Sequence, residues 1–243
     1  MYKAVFFDLD GTLLPMDLGE FMKHYMHSLA AFCAARGIDG QAVVDGIWAG
    51  LGTTMKNQDG RTNSERFWEA FGAYMAGERG IQADWTPLFD EFYSVEFPKL
   101  REKTGTNPLA VQAVNALHEK GYRLALATNP VFPATATAQR LSWTGVDPSL
   151  FERVTSYENC RSVKPYPDYY QDLLEELGLR PDEVLMVGND TRDDAAVLHV
   201  GMDVYIVTDC LEVHEKGSVD LDELSHGTMR DFLAFAQGLP ARD

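Results

Sequence analysis

From Pro108 onward the sequence alternates amphipathic stretches with short apolar runs, and no other feature narrows the fold as far. AVQAVNALHEKG reads as a helix and YRLALAT as a strand. Residues 133–144 then read as a helix, VTSY at 154–157 as a strand, 167–177 as a helix and VLMVG at 184–188 as a strand. Helix 191–200 and strand VYIVT at 204–208 continue the series. Strands with almost no polar residue are covered on both faces, and an intervening helix lets successive strands run parallel. KAVFF at 3–7 has the same character.

The expected fold class is therefore α/β, a three-layer Rossmann-like core around a parallel sheet. Its first strand is separated from the rest by a long segment of different character. Met22, Met26, Leu29 and Cys33 share one helical face, and Gly37 ends that helix. SERFWEAFGAYM places Phe67, Phe71, Tyr74 and Met75 on another stripe, with Ser64 as the expected N-cap. MKNQDGRTN at 55–63 reads as a loop. Residues 1–16 and 100–243 are thus expected to form the core, and 17–99 an inserted α-helical domain.

The balance of 21 basic against 37 acidic residues, a net charge of −16, argues against nucleic acid as a partner. An anionic ligand would need local compensation from a cation, a lysine or backbone N–H groups. Three cysteines far apart, no apolar segment of membrane-spanning length and no signal-peptide pattern at the N-terminus lead to the expectation of a reduced, cytoplasmic protein.

In open α/β sheets, ligands bind beyond the carboxyl ends of the strands. FFDLDGTLL puts Asp8 and Asp10 there, two positions apart and so on one side of an extended chain. Two such carboxylates repel unless a cation lies between them. Thr128 and Asn129 follow the second strand, Lys164 lies ahead of the helix at 167, and Asn189 and Asp190 follow VLMVG. Carboxylates, an amide, a hydroxyl and one lysine suit Mg²⁺ together with a phosphoryl group.

FDLDGTLL, LALATN, VKPYPDYY and VGNDTRDD, in this order, resemble the four motifs of the haloacid dehalogenase superfamily. The resemblance covers about residues 1–16 and 100–210, and the helical insertion resembles the cap of phosphatase-like members. It implies hydrolysis of a small phosphorylated metabolite, with Asp8 as nucleophile forming an aspartyl-phosphate. Asp10 would act as acid and base, Thr128 and Asn129 would hold the phosphoryl group, and Lys164 would neutralise it. Mg²⁺ would be held by Asp8, the Asp10 backbone carbonyl, and Asn189 or Asp190, with Thr12 and Asp193 supporting these groups.

The fourth motif departs from the family's Gly-Asp, reading Gly188-Asn189-Asp190. Aligned on Asp193 and Gly201, it puts Asn189 in the metal-ligand slot; Asp190 could reach the metal directly or through water, and both are expected to take part, with the direct ligand left open. Dehalogenase members lack an acid at the second position of the first motif, so Asp10 favours phosphate chemistry. A phosphomutase of the β-phosphoglucomutase type and a non-catalytic phosphate-ligand-binding protein are the alternatives. Thr191 and Asp194 fit a capping box, which assigns Asp194 a structural role. Lys23, Lys56 and Arg61 read as solvated surface groups, with contact to the far end of a substrate as the other possibility, and the histidines show no ligand spacing.

Overall fold

The computed structural model describes residues 1–55 and 59–242. Ala4–Phe7 forms β1, buried along its whole length. It pairs in parallel with β2 (Arg123–Leu126) on one side and with β4 (Val184–Gly188) on the other. β3 (Arg153–Val154) flanks β2, while β5 (Asp203–Val207) and β6 (Ser225–Gly227) extend the far side. The resulting parallel sheet has the order β3-β2-β1-β4-β5-β6. Phe7 is level with Leu126 and Val187, so the residues that follow these strands emerge at one edge of the sheet.

Strand alternation sends Val5 and Phe7 to one face and Ala4 and Phe6 to the other. The Ala4 face packs against α7 (Pro167–Leu177) through Tyr169, Tyr170, Leu173 and Leu174. The Val5 face packs against α5 (Pro108–Glu119) and α8 (Met229–Gly238), and its apolar cluster continues into the inserted helices. Those are α1 (Leu18–Ala34), α2 (Gly40–Thr54), α3 (Asn63–Arg79) and α4 (Thr86–Val95). A further helix, α6 (Ala134–Thr144), follows β2.

Several local expectations need correction. The N-cap of α3 is Thr62, not Ser64: its hydroxyl accepts the Glu65 N–H while the Glu65 carboxylate accepts the Thr62 N–H. The strand expected at 154–157 is only Arg153–Val154. The helix expected at 191–200 is an irregular turn followed by a 3₁₀ segment, Ala195–Val200, so the Thr191–Asp194 capping box does not form. Thr191 instead donates its hydroxyl to the Glu212 carbonyl. Among the described residues, no helix is long and apolar enough to cross a membrane.

Candidate active site

Asp8 leaves β1 with its N–H still bonded to the Val187 carbonyl, 2.8 Å, which fixes its backbone at the sheet edge. Gly11 then turns the chain at φ +81°. A Cβ at Gly11 would lie 2.3 Å from Asn189 Nδ2, so a side chain there is excluded by both conformation and space. Asp8, Asp10, Thr128, Asn129, Lys164, Asn189, Asp190 and Asp193 all line one small cleft of about 60 Å³. The strand-end residues picked out in the sequence thus converge. Leu18, Asp194 and Glu212 complete the wall.

Lys164, just before a cis peptide to Pro165, buries its ammonium between two carboxylates. Its Nζ donates to Asp8 Oδ1 at 2.9 Å and to Asp194 Oδ1 at 2.6 Å. The other Asp194 oxygen accepts the N–H groups of Asn189, 2.9 Å, and Asp190, 3.0 Å. Asp194 therefore ties the loop after β4 to the lysine, and it is Asp194 rather than Asp193 that faces Lys164. A Cβ at Gly188 would stand 2.0 Å from that carboxylate, so only glycine leaves room for it. Asp193 pairs with Arg192 Nε at 2.8 Å, and burial raises its carboxyl above the usual range.

Burial raises the Asp8 carboxyl from 3.8 to about 8; Lys164 opposes the shift, and Asp194 and Asp10 reinforce it. Burial alone would lower Lys164, but Asp194 and Asp8 together hold it well above an ordinary lysine. Asp10 has a partner the sequence reading missed. Arg140, fully buried on α6, donates Nη1 to Asp10 Oδ2. Its guanidinium lies 4.2 Å from the centre of the Phe132 ring. The signal was an arginine sharing a helical stripe with Ala136 and Trp143, both buried. Asp10 Oδ1 and Asn129 Oδ1 are buried without a hydrogen-bond partner among the described residues.

Asn189 donates Nδ2 to the Cys210 carbonyl at 2.7 Å, and its Oδ1 accepts the Thr12 hydroxyl at 3.0 Å. Asp190 Oδ1 accepts the N–H groups of Arg192 and Asp193, while Oδ2 lies 2.7 Å from His214 Nε2. Asp190, Glu212 and His214 bring one ligand atom each within 4.8 Å of one another. Glu212, which burial and Asp190 push above the ordinary range, was also not anticipated. Thr128 turns its carbonyl toward the Tyr169 hydroxyl, 2.9 Å, which anchors the segment after β2. Lys23 and Arg61 sit in surface ion pairs with Glu20 and with Asp59 and Glu69. Lys56 lies outside the described residues.

Six carboxylates, two side-chain amides and a single lysine line the cleft. Such an oxygen-rich set with an unpartnered Asp10 oxygen fits a hard divalent cation.

The sequence pattern of the "haloacid dehalogenase-like hydrolase" family matches residues 2–201. The chain belongs to the haloacid dehalogenase-like hydrolases. Among relatives of these hydrolases, it is 26% identical over 198 residues to the pyrophosphatase PpaX of Anoxybacillus flavithermus, covering 82% of this chain and 80% of that protein. It is 29% identical over 212 residues to the phosphoglycolate phosphatase of Rhodospirillum rubrum, covering 86% and 80%. The fold is similar to that of a HAD phosphatase from Thermococcus onnurineus, with TM-score 0.60, 18% identity, and coverage of 99% of this chain and 100% of that one. It is also similar to that of the L-2-haloacid dehalogenase of Xanthobacter autotrophicus, with TM-score 0.56, 20% identity, and coverage of 98% and 100%.

Proposed function

We propose that this hydrolase cleaves small phosphomonoesters through an aspartyl-phosphate on Asp8, with residues 17–99 acting as a cap. The observation that carries this reading is Asp10, which lines the same cleft as Asp8 with its Oδ1 lacking a hydrogen-bond partner among the described residues. A dehalogenase of this family has no use for an acid at that position, whereas ester cleavage needs a proton for the leaving oxygen. The phosphatase names of the relatives agree with it.

An Asp8 oxygen attacks phosphorus while the bond to the leaving oxygen breaks, and Asp10 delivers a proton to that oxygen. Asp10 then takes a proton from water, whose oxygen attacks phosphorus; the Asp8–phosphorus bond breaks and phosphate leaves. Lys164, hydrogen-bonded to Asp8, lowers the charge that accumulates there, and Asp194 fixes the lysine from behind. Thr128 and the Asn129 amide orient the phosphoryl oxygens. Asp8, the Asp10 carbonyl, Asn189 and Asp190 would hold Mg²⁺, which would supply positive charge to offset that of an anionic ester in this acidic cleft.

The test is phosphate release from p-nitrophenyl phosphate with Mg²⁺ and with EDTA, for native protein and Asp8→Asn. Metal-dependent turnover abolished in the variant supports the mechanism. Turnover that persists in Asp8→Asn rules it out.

A further inference from the structure

Beside the phosphate cleft lies a larger cavity of about 320 Å³ whose chemistry is different. The two adjoin along two segments. Leu18 lines the cleft and Met22, one turn further along α1, lines the cavity; Asn129 lines the cleft and Val131 and Phe132 line the cavity. The leaving group of a phosphoryl ester held beyond β1 would have only these two short segments to cross to reach the space under the inserted helices.

The walls are aromatic. Tyr25, Phe67, Trp68, Phe89, Phe132 and Tyr157 line the cavity and meet edge to face. Tyr25 and Phe132 are 5.4 Å apart between ring centres, and Trp68 and Phe89 5.3 Å. Among the described residues that line it there is no lysine, arginine or histidine, whereas Asp90 and Glu158 are present. Glu158 is occupied by the Ala134 N–H at the start of α6, whereas Asp90 is exposed at the rim. The cation behind the wall, Arg140, is already paired with Asp10.

We propose that this cavity receives the leaving group of the substrate, and that the group is an aromatic alcohol without an anionic substituent. The inference rests on the phosphomonoesterase reading and narrows it. A carboxylate or second phosphate buried here would lose its water, with no cation among the described lining residues to replace it. That excludes as preferred substrates the anionic compounds named for the relatives, pyrophosphate and phosphoglycolate. An aromatic ring gains both apolar burial and edge-to-face contacts. A cavity of about 150 Å³ suffices for benzene, so this one accommodates a substituted ring or a two-ring system.

The experiment compares kcat/KM for 2-(1-naphthyl)ethyl phosphate, ethyl phosphate and phosphoglycolate with Mg²⁺. The first two are primary alkyl esters of similar intrinsic reactivity, so their ratio reports recognition. A preference of at least about 30-fold for the naphthyl ester is expected from the buried ring area. Trp68→Ala should cut that ratio at least about tenfold. Asp90→Lys, a change on the exposed rim, should shift selectivity toward phosphoglycolate. Turnover without naphthyl preference, or an Asp90→Lys profile identical to native, overturns the inference and leaves the phosphatase reading standing. If no ester turns over, that reading falls. Quenching of tryptophan fluorescence by the naphthyl ester then decides: quenching weakened in Trp68→Ala upholds the cavity assignment, and no quenching overturns it.

Discussion

Asp8→Asn should stabilise the metal-free protein while it abolishes turnover. Asp8 and Asp194 share one lysine, and Asp10 adds a third carboxylate to the same cleft. Burial, against Lys164 and with Asp194 and Asp10, holds the Asp8 carboxyl at about 8. The folded chain thus keeps a proton that the unfolded chain releases above about pH 4. Stability from this group is full below that value and is lost as pH rises toward about 8. At about 1.36 kcal/mol per unit, the pull between 3.8 and neutral pH reaches ~4 kcal/mol. Asparagine has no proton to hold but accepts a weaker hydrogen bond from Lys164, which leaves a net gain of about 1–3 kcal/mol. For a chain of this size that is a rise in Tm of about 2–12 °C. Thermal unfolding in EDTA across about pH 5 to 8.5 measures it. The gap between variant and native should close toward the acid end and widen toward the alkaline end. A gap independent of pH, or a variant less stable at pH 8, would refute the charge-repulsion reasoning. Added Mg²⁺ should raise the native Tm and leave that of the variant nearly unchanged.

Lys164→Met leaves Asp8 and Asp194 buried without their shared cation and should cost about 3–5 kcal/mol by denaturant titration, with part regained in the double variant carrying Asp194→Asn. Arg140→Met removes the partner that holds Asp10. It should slow alkyl phosphates by about 10²-fold and p-nitrophenyl phosphate much less, because a good leaving group has little need of a proton; equal losses on both would make Arg140 a packing residue only. Gly11→Ala forces a Cβ against Asn189 at positive φ and should destabilise by about 1–3 kcal/mol, seen as a lower Tm, and weaken Mg²⁺ binding by calorimetry.

The sheet core and the polar residues that gather at its carboxyl edge were legible because their determinants are local. Apolar strands and the polar residues after them lie within short stretches, as in FFDLDGT and VLMVGND. Long-range pairings were not. Arg140 reads as one arginine on a helix until the fold brings it to Asp10, 130 positions away. Asp193 and Asp194 are adjacent acids, and the capping box read from Thr191 and Asp194 fails because the segment is not an α-helix there. Asp190 bends it by accepting the N–H groups of Arg192 and Asp193. Thr62 could have been read correctly, since Glu65 stands three places on, whereas Phe67 follows Ser64 at that spacing. β6 and the whole of α8 were not anticipated: SHG is a polar edge with no apolar pattern, whereas the apolar stripe Met229, Phe232, Leu233 and Ala236 was there to be read.

The place of β1 in the sheet has a consequence for biosynthesis. Its two neighbours, β2 and β4, lie about 120 and 180 residues further along the chain, a high contact order. As the polypeptide leaves the ribosome, AVFF appears early and stays without either flanking strand until both distant segments follow. Through most of translation Asp8 is therefore solvated, with Lys164 and Asp194 not yet beside it. A stalled or truncated product ending before β4 is inert as an enzyme and exposes an unpaired apolar strand, which makes it a client for chaperones and proteases.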